Sequence, residues 1–386
     1  MWDVVIAGAG PAGSITATIL ARVGARVLLV DRARFPRDKL CGDSLNPGTL
    51  ALLRDLDLSS WIDAHGVPVD GMLLTGPRGV SVEGRYPPPL RGRIAMRRDF
   101  DYWLLGRALQ AGAQFEEGVT VRGPRLQEKP NGASSAHVAG VVVSGRHDGT
   151  KMIPARVTIA ADGRRSTLAF GLGTAHHPIW PRRWAVGAYF EGVSGSSSFG
   201  EMHIRAGSYL GVAPLPNGLT NACAVVYGSR LGELRAPERA LRAIIEQDPT
   251  LRERFSRARM IARPVVLGPL AVDVGSCGLP GLLLAGDAAG FVDPMTGDGL
   301  RFAVRGAQLA AEAALEMLVT GRKDGHILLA RRRREAFVSK WRFNRALRRI
   351  VDMPAAVNVA ALGASIAPAL VKSLINVAGD CQHAAR

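Results

Sequence analysis

The 386-residue chain is 47% apolar and 21% charged, which excludes a disordered or fibrous protein and leaves room for two interleaved domains with buried cores. Its formal net charge of +16 is concentrated in Arg32 to Lys39 and Arg331 to Arg349, with few aromatics between the charges. That distribution fits anionic cofactors and membrane surfaces rather than nucleic acid. Four widely spaced cysteines, Cys41, Cys223, Cys277 and Cys381, contain no C-x-x-C pair, so neither a disulfide framework nor a metal site is expected. The N-terminus carries no signal-peptide signature, and the expected location is the cytoplasm.

Asp3 to Asp31 reads as a complete β-α-β unit: an apolar run (Val4 to Ala7), a turn with Gly8, Gly10 and Gly13 at G-x-G-x-x-G spacing, an Ala-rich helix opened by Pro11 and Ala12, and a second apolar run (Val27 to Val30). Gly8 permits the tight turn, Gly10 lets a pyrophosphate approach the backbone, and Gly13 lets the helix pack closely on the strand. The helix start turns free N–H groups and the positive end of its dipole toward phosphate. Asp31 ends the second strand, where a carboxylate can accept hydrogen bonds from an adenosine ribose, and Arg32 beside it is a further candidate contact. The motif alone fits NAD and FAD equally.

Farther on, Asn46 and Pro47 predict a helix N-cap and first helical residue. Val67 to Arg93 reads as a β excursion, and Asp99 to Ala111 as an amphipathic helix. Strands are predicted at Val119 to Val121, Val138 to Ser144 and Met152 to Ala161. Trp184 to Tyr227 has the alternation of an antiparallel sheet with one wet face. Arg235 to Ala258 reads as a helix, Gly281 to Ala285 as a buried strand, and Gly299 to Val319 and Asp324 to Ile350 as long helices. The expected fold is α/β: a Rossmann-like parallel sheet with helices (1-70, 95-175 and 265-335), an inserted antiparallel β-sheet substrate domain (71-94 and 176-264), and a helical C-terminus (336-386).

Two further motifs carry a specific resemblance. Ile159-Ala-Ala-Asp-Gly-Arg-Arg-Ser166 resembles the Asp-Gly motif, and Leu284-Ala-Gly-Asp-Ala-Ala-Gly-Phe-Val-Asp-Pro-Met-Thr-Gly-Asp-Gly299 the Gly-Asp motif, of the flavoprotein monooxygenase superfamily, the para-hydroxybenzoate hydroxylase-like proteins. The resemblance implies FAD, with Asp162 and Gly286 among its contacts and Asp287 on a ribityl hydroxyl. It further implies that Pro294 forms an apolar wall beside the ring, and that Gly297 and Gly299 open a helix whose N–H groups stabilise negative charge on the reduced flavin. Arg97 aligns with the superfamily's R-x-x-x-D arginine that contacts FAD.

Phe35-Pro-Arg-Asp-Lys-Leu-Cys-Gly-Asp43 resembles the geranylgeranyl reductase branch, in which this loop lies near flavin and substrate, so Cys41 is a candidate active-site residue. Where that branch has an aromatic Tyr-x-Trp-x-Phe-Pro stretch, this chain reads Tyr209-Leu-Gly-Val-Ala-Pro-Leu-Pro216, and no W-x-W pair of the halogenase type is present. The leading expectation from the superfamily is an NAD(P)H-consuming monooxygenase, a hydroxylase or epoxidase of a lipophilic aromatic, quinone or polyketide-like molecule. The alternative is a flavin-dependent C=C reductase of an isoprenoid or quinone side chain. A flavin-free lipid escort on the same fold is disfavoured by Asp31, Asp287 and Gly299. Tyr189, His203, Tyr209 and Tyr227 fall in the substrate region, and sequence assigns none of them a catalytic role. The uncharged stretch Met353 to Val371 after the arginine-rich segment is read either as a helical cap on the cavity or as a peripheral membrane contact.

Overall fold

The computed structural model describes residues 1–384 apart from 128–136, 146–148, 181, 196 and 206. Its centre is an eight-stranded sheet in which Trp2–Ala7 lies parallel to Thr150–Ala160 on one side and Val27–Asp31 on the other. Leu282–Leu284 and Gln114–Glu117 extend the parallel layer outward. The inner strands are apolar on both faces because both are covered. Pro11–Arg22 and Gly299–Thr320 pack on one face, and the antiparallel pair Thr120–Gln127 and His137–Ser144 leads away toward the other. All five parallel strands end where the glycine turn and Asp31 lie, the position in which open α/β sheets bind ligands.

A second eight-stranded sheet has Arg183–Glu191, Thr220–Tyr227, Ser208–Pro214 and Phe199–Arg205 in antiparallel order. Gly71–Thr75 joins Phe199–Arg205 in parallel and carries Ser81–Arg85 at the edge. The expected wet face is absent among the described residues. Val186, Leu210 and Ala224 pack under the helix Pro237–Gln247, while Ala185, Tyr209 and Val225 on the opposite face line an internal cavity. The charged residues on these strands meet interior partners instead of water: Glu201 bonds His203 at 3.0 Å and Arg254 at 2.6 and 2.9 Å, and Arg183 pairs with Asp293 at 2.6 Å.

Several boundaries differ from expectation. Val67–Val69 and Gly92–Ile94 form a separate three-stranded sheet with Ser44–Leu45, and Val265–Leu267 pairs with the second sheet. The single helix expected over Arg235 to Ala258 is two, Pro237–Gln247 and Pro249–Arg254. Pro249 forces the preceding residue out of the helical region, and Asp248 (φ −95°, ψ 115°) caps the second helix by accepting from the N–H groups of Thr250 and Leu251. Gly325–Asp352 is one helix that runs through the expected boundary at 335. The chain then continues as Pro354–Ile366, Pro368–Ala378 and Cys381–Ala384. Among the described residues no single helix is long and apolar enough to cross a membrane.

Candidate active site

One continuous cavity runs from the glycine turn, past the loop at 37–46 and the Gly286–Gly299 segment, to the inner face of the second sheet and the C-terminal helices. Gly8, Gly10, Pro11, Ala12, Asp31, Arg97, Asp162, Gly286, Asp287, Pro294, Gly297 and Gly299 all line it, as does Cys41. Gly13 and Arg32 do not. Gly13 is a packing position, since a Cβ there would meet the Gly8 carbonyl oxygen at 1.8 Å. Arg32 is exposed, because the chain leaves the sheet after Asp31 and turns it outward.

The turn is built as a cradle. Gly8 has φ +100°, and a Cβ there would lie 2.5 Å from the Ala161 carbonyl oxygen on the neighbouring strand. Asp31 accepts from Ala9 N–H at 2.8 Å and from Ala33 N–H at 2.8 Å, which fixes its carboxylate beside the turn. Asp162 accepts from Thr167 N–H at 2.8 Å, and its other oxygen, Oδ1, is buried without a hydrogen-bond partner among the described residues. Burial pushes the Asp162 carboxyl up, against the hydrogen bonds it receives. An unsatisfied acceptor in a cavity wall fits a ligand that brings hydroxyl donors.

The cations sit at the same end. Arg97 makes a bidentate pair with Asp101 (2.7 and 2.9 Å), and Arg37 reaches the same carboxylate at 3.0 Å. Arg97 is therefore a buried, fixed guanidinium rather than a solvated charge. Burial alone would lower its pKa, but Asp101 outweighs that and the net shift is upward. Arg37 Nη2 lies 3.3 Å from where a Gly10 Cβ would be, so its charge stands directly over the turn. Lys39 is held below the ordinary lysine range by burial and by Arg97, with Asp287 opposing. An orphaned acceptor, a glycine cradle and clustered cations together fit the ribose and pyrophosphate of FAD.

At the flavin-loop end, Asp293 accepts from the Tyr209 hydroxyl at 2.5 Å and from Arg183 at 2.6 Å, and Arg183 also pairs with Asp352. These bonds tie the Pro294 segment to the second sheet and the C-terminus. Asp298 is buried against Lys340 at 3.1 Å and Asn46 at 3.2 Å, which fixes the start of the helix at Gly299.

The substrate end contains a polar knot that sequence reading missed. Asp43 is fully buried with φ +55°, its carbonyl accepts from Ala95 N–H at 3.0 Å, and its carboxyl accepts from Asn221 and from Arg97 N–H. Asn221 also donates to the Cys41 carbonyl at 2.6 Å. Burial pushes the Asp43 carboxyl up to about 7, against the bond from Asn221 and the nearby Arg97 charge. Burial and Asp43 in turn push the Tyr189 hydroxyl up. Tyr209 lines the cavity, whereas Tyr227 donates to the Val351 carbonyl at 2.7 Å and braces the C-terminal helices. His203 lies away in a network with Glu201 (3.0 Å) and Thr75 (2.9 Å). The motif Cys-Gly-Asp already contained Asp43, but nothing in a linear pattern distinguishes a buried acid from a turn acid. Among the described residues no group of His, Cys, Asp and Glu could hold a metal ion.

The family model described as FAD binding domain matches residues 1–204. A menaquinone reductase of Mycolicibacterium smegmatis is 32% identical over 80% of this chain and 75% of that protein. Digeranylgeranylglycerophospholipid reductase 2 of Methanopyrus kandleri is 30% identical over 82% of this chain and 78% of that protein. Among solved structures, a triple mutant of a flavin-dependent brominase superposes with a TM-score of 0.83 at 19% identity, over 99% of this chain and 95% of that one. A geranylgeranyl bacteriochlorophyll reductase-like protein of Thermoplasma acidophilum superposes with a TM-score of 0.77 at 22% identity, over 91% and 88%. The fold and site therefore define an FAD-dependent oxidoreductase. The chain belongs to the FAD-binding domain family, within the para-hydroxybenzoate hydroxylase-like superfamily and its geranylgeranyl reductase-related branch.

Proposed function

We propose that the protein is a flavin-dependent reductase of a carbon–carbon double bond in an isoprenoid chain, carried by a quinone or another lipid, with NAD(P)H as electron source. The observation that carries this reading is the far half of the cavity. It is walled by Met72, Leu74, Met202, Ile204, Val371 and Ile375, an aliphatic chamber suited to a prenyl chain, and Cys41 lines the same continuous cavity. The curated relatives named above are reductases of prenylated lipids or quinones, which supports it further. Oxygen-dependent hydroxylation, the expectation from the superfamily as a whole, gains no such support.

FAD, when bound and reduced, would supply a hydride, one proton with two electrons, to one carbon of the alkene. The protein must supply the proton for the second carbon. Cys41 lines the cavity and is the donor we assign, and Asp43 is joined to the Cys41 segment through Asn221. Asp43 is buried, close to neutrality in its titration and adjacent to the wall, which suits it to re-protonate the thiol. Arg97 and Asn221 hold it in place.

Two outcomes test the reading. Under anaerobic conditions, NADPH oxidation by the holoenzyme should be stimulated by a prenylated quinone and yield the chain-saturated product, and Cys41→Ser should lower that rate about 100-fold, the usual weight of a proton donor. Strict dependence on O₂, with oxygen in the product, would reverse the assignment to monooxygenase.

The pH profile is the second outcome. A group that must be protonated fails as it ionises, so the rate should fall as pH rises through about 7, and Asp43→Asn should lower the rate while removing that limb. The stability sign agrees. The folded-state pKa is raised, so the contribution of protonated Asp43 is fully present below the ordinary aspartate pKa and is lost as pH climbs through about 7. An unchanged descending limb in Asp43→Asn would remove Asp43 from the proton path.

A further inference from the structure

The segment after Asp352 is fastened at both ends and exposed between them. At its start, Arg183 pairs with Asp352 and Tyr227 donates to the Val351 carbonyl. At its end, Lys340 Nζ donates to the carbonyls of Val377 and Ala378, each at 2.8 Å, Gly48 N–H donates to the Gly379 carbonyl at 3.1 Å, and Arg301 pairs with Asp380 at 2.6 Å. Between these anchors run two helices, Pro354–Ile366 and Pro368–Ala378, of 13 and 11 residues, bent by 108°. Lys372 is the sole charged residue from Pro354 to Ala378.

The outer surface of this strap presents large apolar side chains, Val359 71% exposed, Ile366 75% and Leu370 68%, beside the exposed polar Asn358, Lys372 and Ser373. Its inner surface is also apolar, because Val371 and Ile375 line the cavity. Leu374 does both, being 43% exposed and part of the lining. One helix thickness, about 10 Å, thus separates the cavity from an exposed hydrophobic surface. On the preceding helix Arg342, Arg345 and Arg349 are exposed at i, i+3 and i+7, a stripe on one side that runs to Met353 at the start of the strap.

We propose that the strap is a membrane-seating surface: its apolar outer face enters the interfacial layer of an anionic bilayer while the arginine stripe meets the head groups. Neither helix reaches the roughly 20 residues needed to span the hydrocarbon core, and the 108° bend keeps the two from joining into one straight span. A second copy of the chain is the weaker occupant, since it would bring an identical arginine stripe to a protein of net charge +16, whereas an anionic lipid surface neutralises that stripe. Given the reductase reading, the strap is also the route by which a prenyl chain passes from bilayer to cavity, across Leu374.

The test is co-sedimentation of the FAD-loaded protein with vesicles of phosphatidylcholine alone or mixed with phosphatidylglycerol. The wild type should pellet with the anionic vesicles, more than with the neutral ones, and high salt should reduce binding. Combining Val359→Glu, Ile366→Glu and Leu370→Glu should lower the bound fraction about tenfold or more, with flavin absorbance and melting temperature unchanged because all three side chains are exposed. Arg342→Glu with Arg345→Glu and Arg349→Glu should abolish the preference for anionic lipid. Equal pelleting of the apolar triple variant and the wild type, or no pelleting of the wild type with either vesicle, overturns the proposal. So does a wild-type dimer in solution that the apolar triple variant converts to monomer, since the face would then be an interface between copies. Vesicle binding needs no turnover, so its failure leaves the reductase reading standing, and failure of anaerobic turnover leaves this proposal standing.

Discussion

Gly13→Ala is expected to yield protein without flavin and with stability lowered by about 3 kcal/mol or more. The added methyl would sit 1.8 Å from the Gly8 carbonyl oxygen, 3.0 Å from the Gly8 carbonyl carbon and 3.4 Å from the Ala161 Cβ. Two of these atoms are backbone of the turn that must hold the pyrophosphate, so the clash cannot be relieved by rotating a side chain. Either the helix Pro11–Arg22 lifts from the sheet or Gly8 moves, and each route breaks the cradle. Overpacking in a fitted core costs about 1–3 kcal/mol where side chains can yield, and here they cannot. Gly10→Ala is the contrasting variant. Its methyl would meet only Arg37 Nη2, at 3.3 Å, the far end of a flexible side chain, so the apoprotein should fold like wild type while FAD binds more weakly. Flavin absorbance of the purified proteins, with urea unfolding of each, separates the two. Full flavin occupancy in Gly13→Ala would show that the turn tolerates the shift and would remove the packing role from that position.

These glycines also mark how far the sequence could be read. Gly8, Gly10 and Gly13 announce a turn at fixed spacing, and Asp162, Asp287 and Gly299 recur in motifs, because each role depends on a few consecutive residues. Apart from Gly13 and Arg32, the residues these local signals pick out line one cavity. Arg32 misled because charge next to a motif says nothing about direction, and the chain turns it to solvent one residue past Asp31. Arg37, Lys39 and Asp43 lie in the 35–43 stretch, yet their importance comes from Asp101, Asp287 and Asn221, which only folding brings near. The two-sided burial of the second sheet escaped notice for a related reason. Glu201 and His203 look like residues for water in an alternating strand and Arg254 like a charge on an exposed helix, and their pairing in the interior, with Arg254 on Glu201 at 2.6 and 2.9 Å, is a tertiary fact. Pro249 was legible as a helix breaker, but the surrounding apolar periodicity concealed it.

One local and one distant partner, Arg97 on the same helix and Arg37 on the loop, make Asp101 the acid whose loss should be felt most. Its side chain is fully buried and is the shared counter-ion of Arg97, 7% exposed, and Arg37, 16% exposed. Asp101→Asn keeps shape and volume but removes the negative charge, leaving two guanidinium groups in a desolvated wall beside Lys39. Removing one partner of a buried pair costs about 3–5 kcal/mol, because the remaining charge has lost its water and gained nothing. The apoprotein should therefore lose about that much in urea unfolding. Asp3→Asn, which breaks a pair with an Arg26 side chain that is 64% exposed, should change stability by less than about 1 kcal/mol. FAD carries a doubly anionic pyrophosphate to the same cations, so saturating FAD should restore part of the loss. The rise in melting temperature on adding FAD should then be larger for Asp101→Asn than for wild type, although the variant starts lower. An apo variant as stable as wild type would mean that the two guanidinium groups find other counter-charges. An equal FAD-induced rise in both proteins would mean that Arg37 and Arg97 do not meet the pyrophosphate.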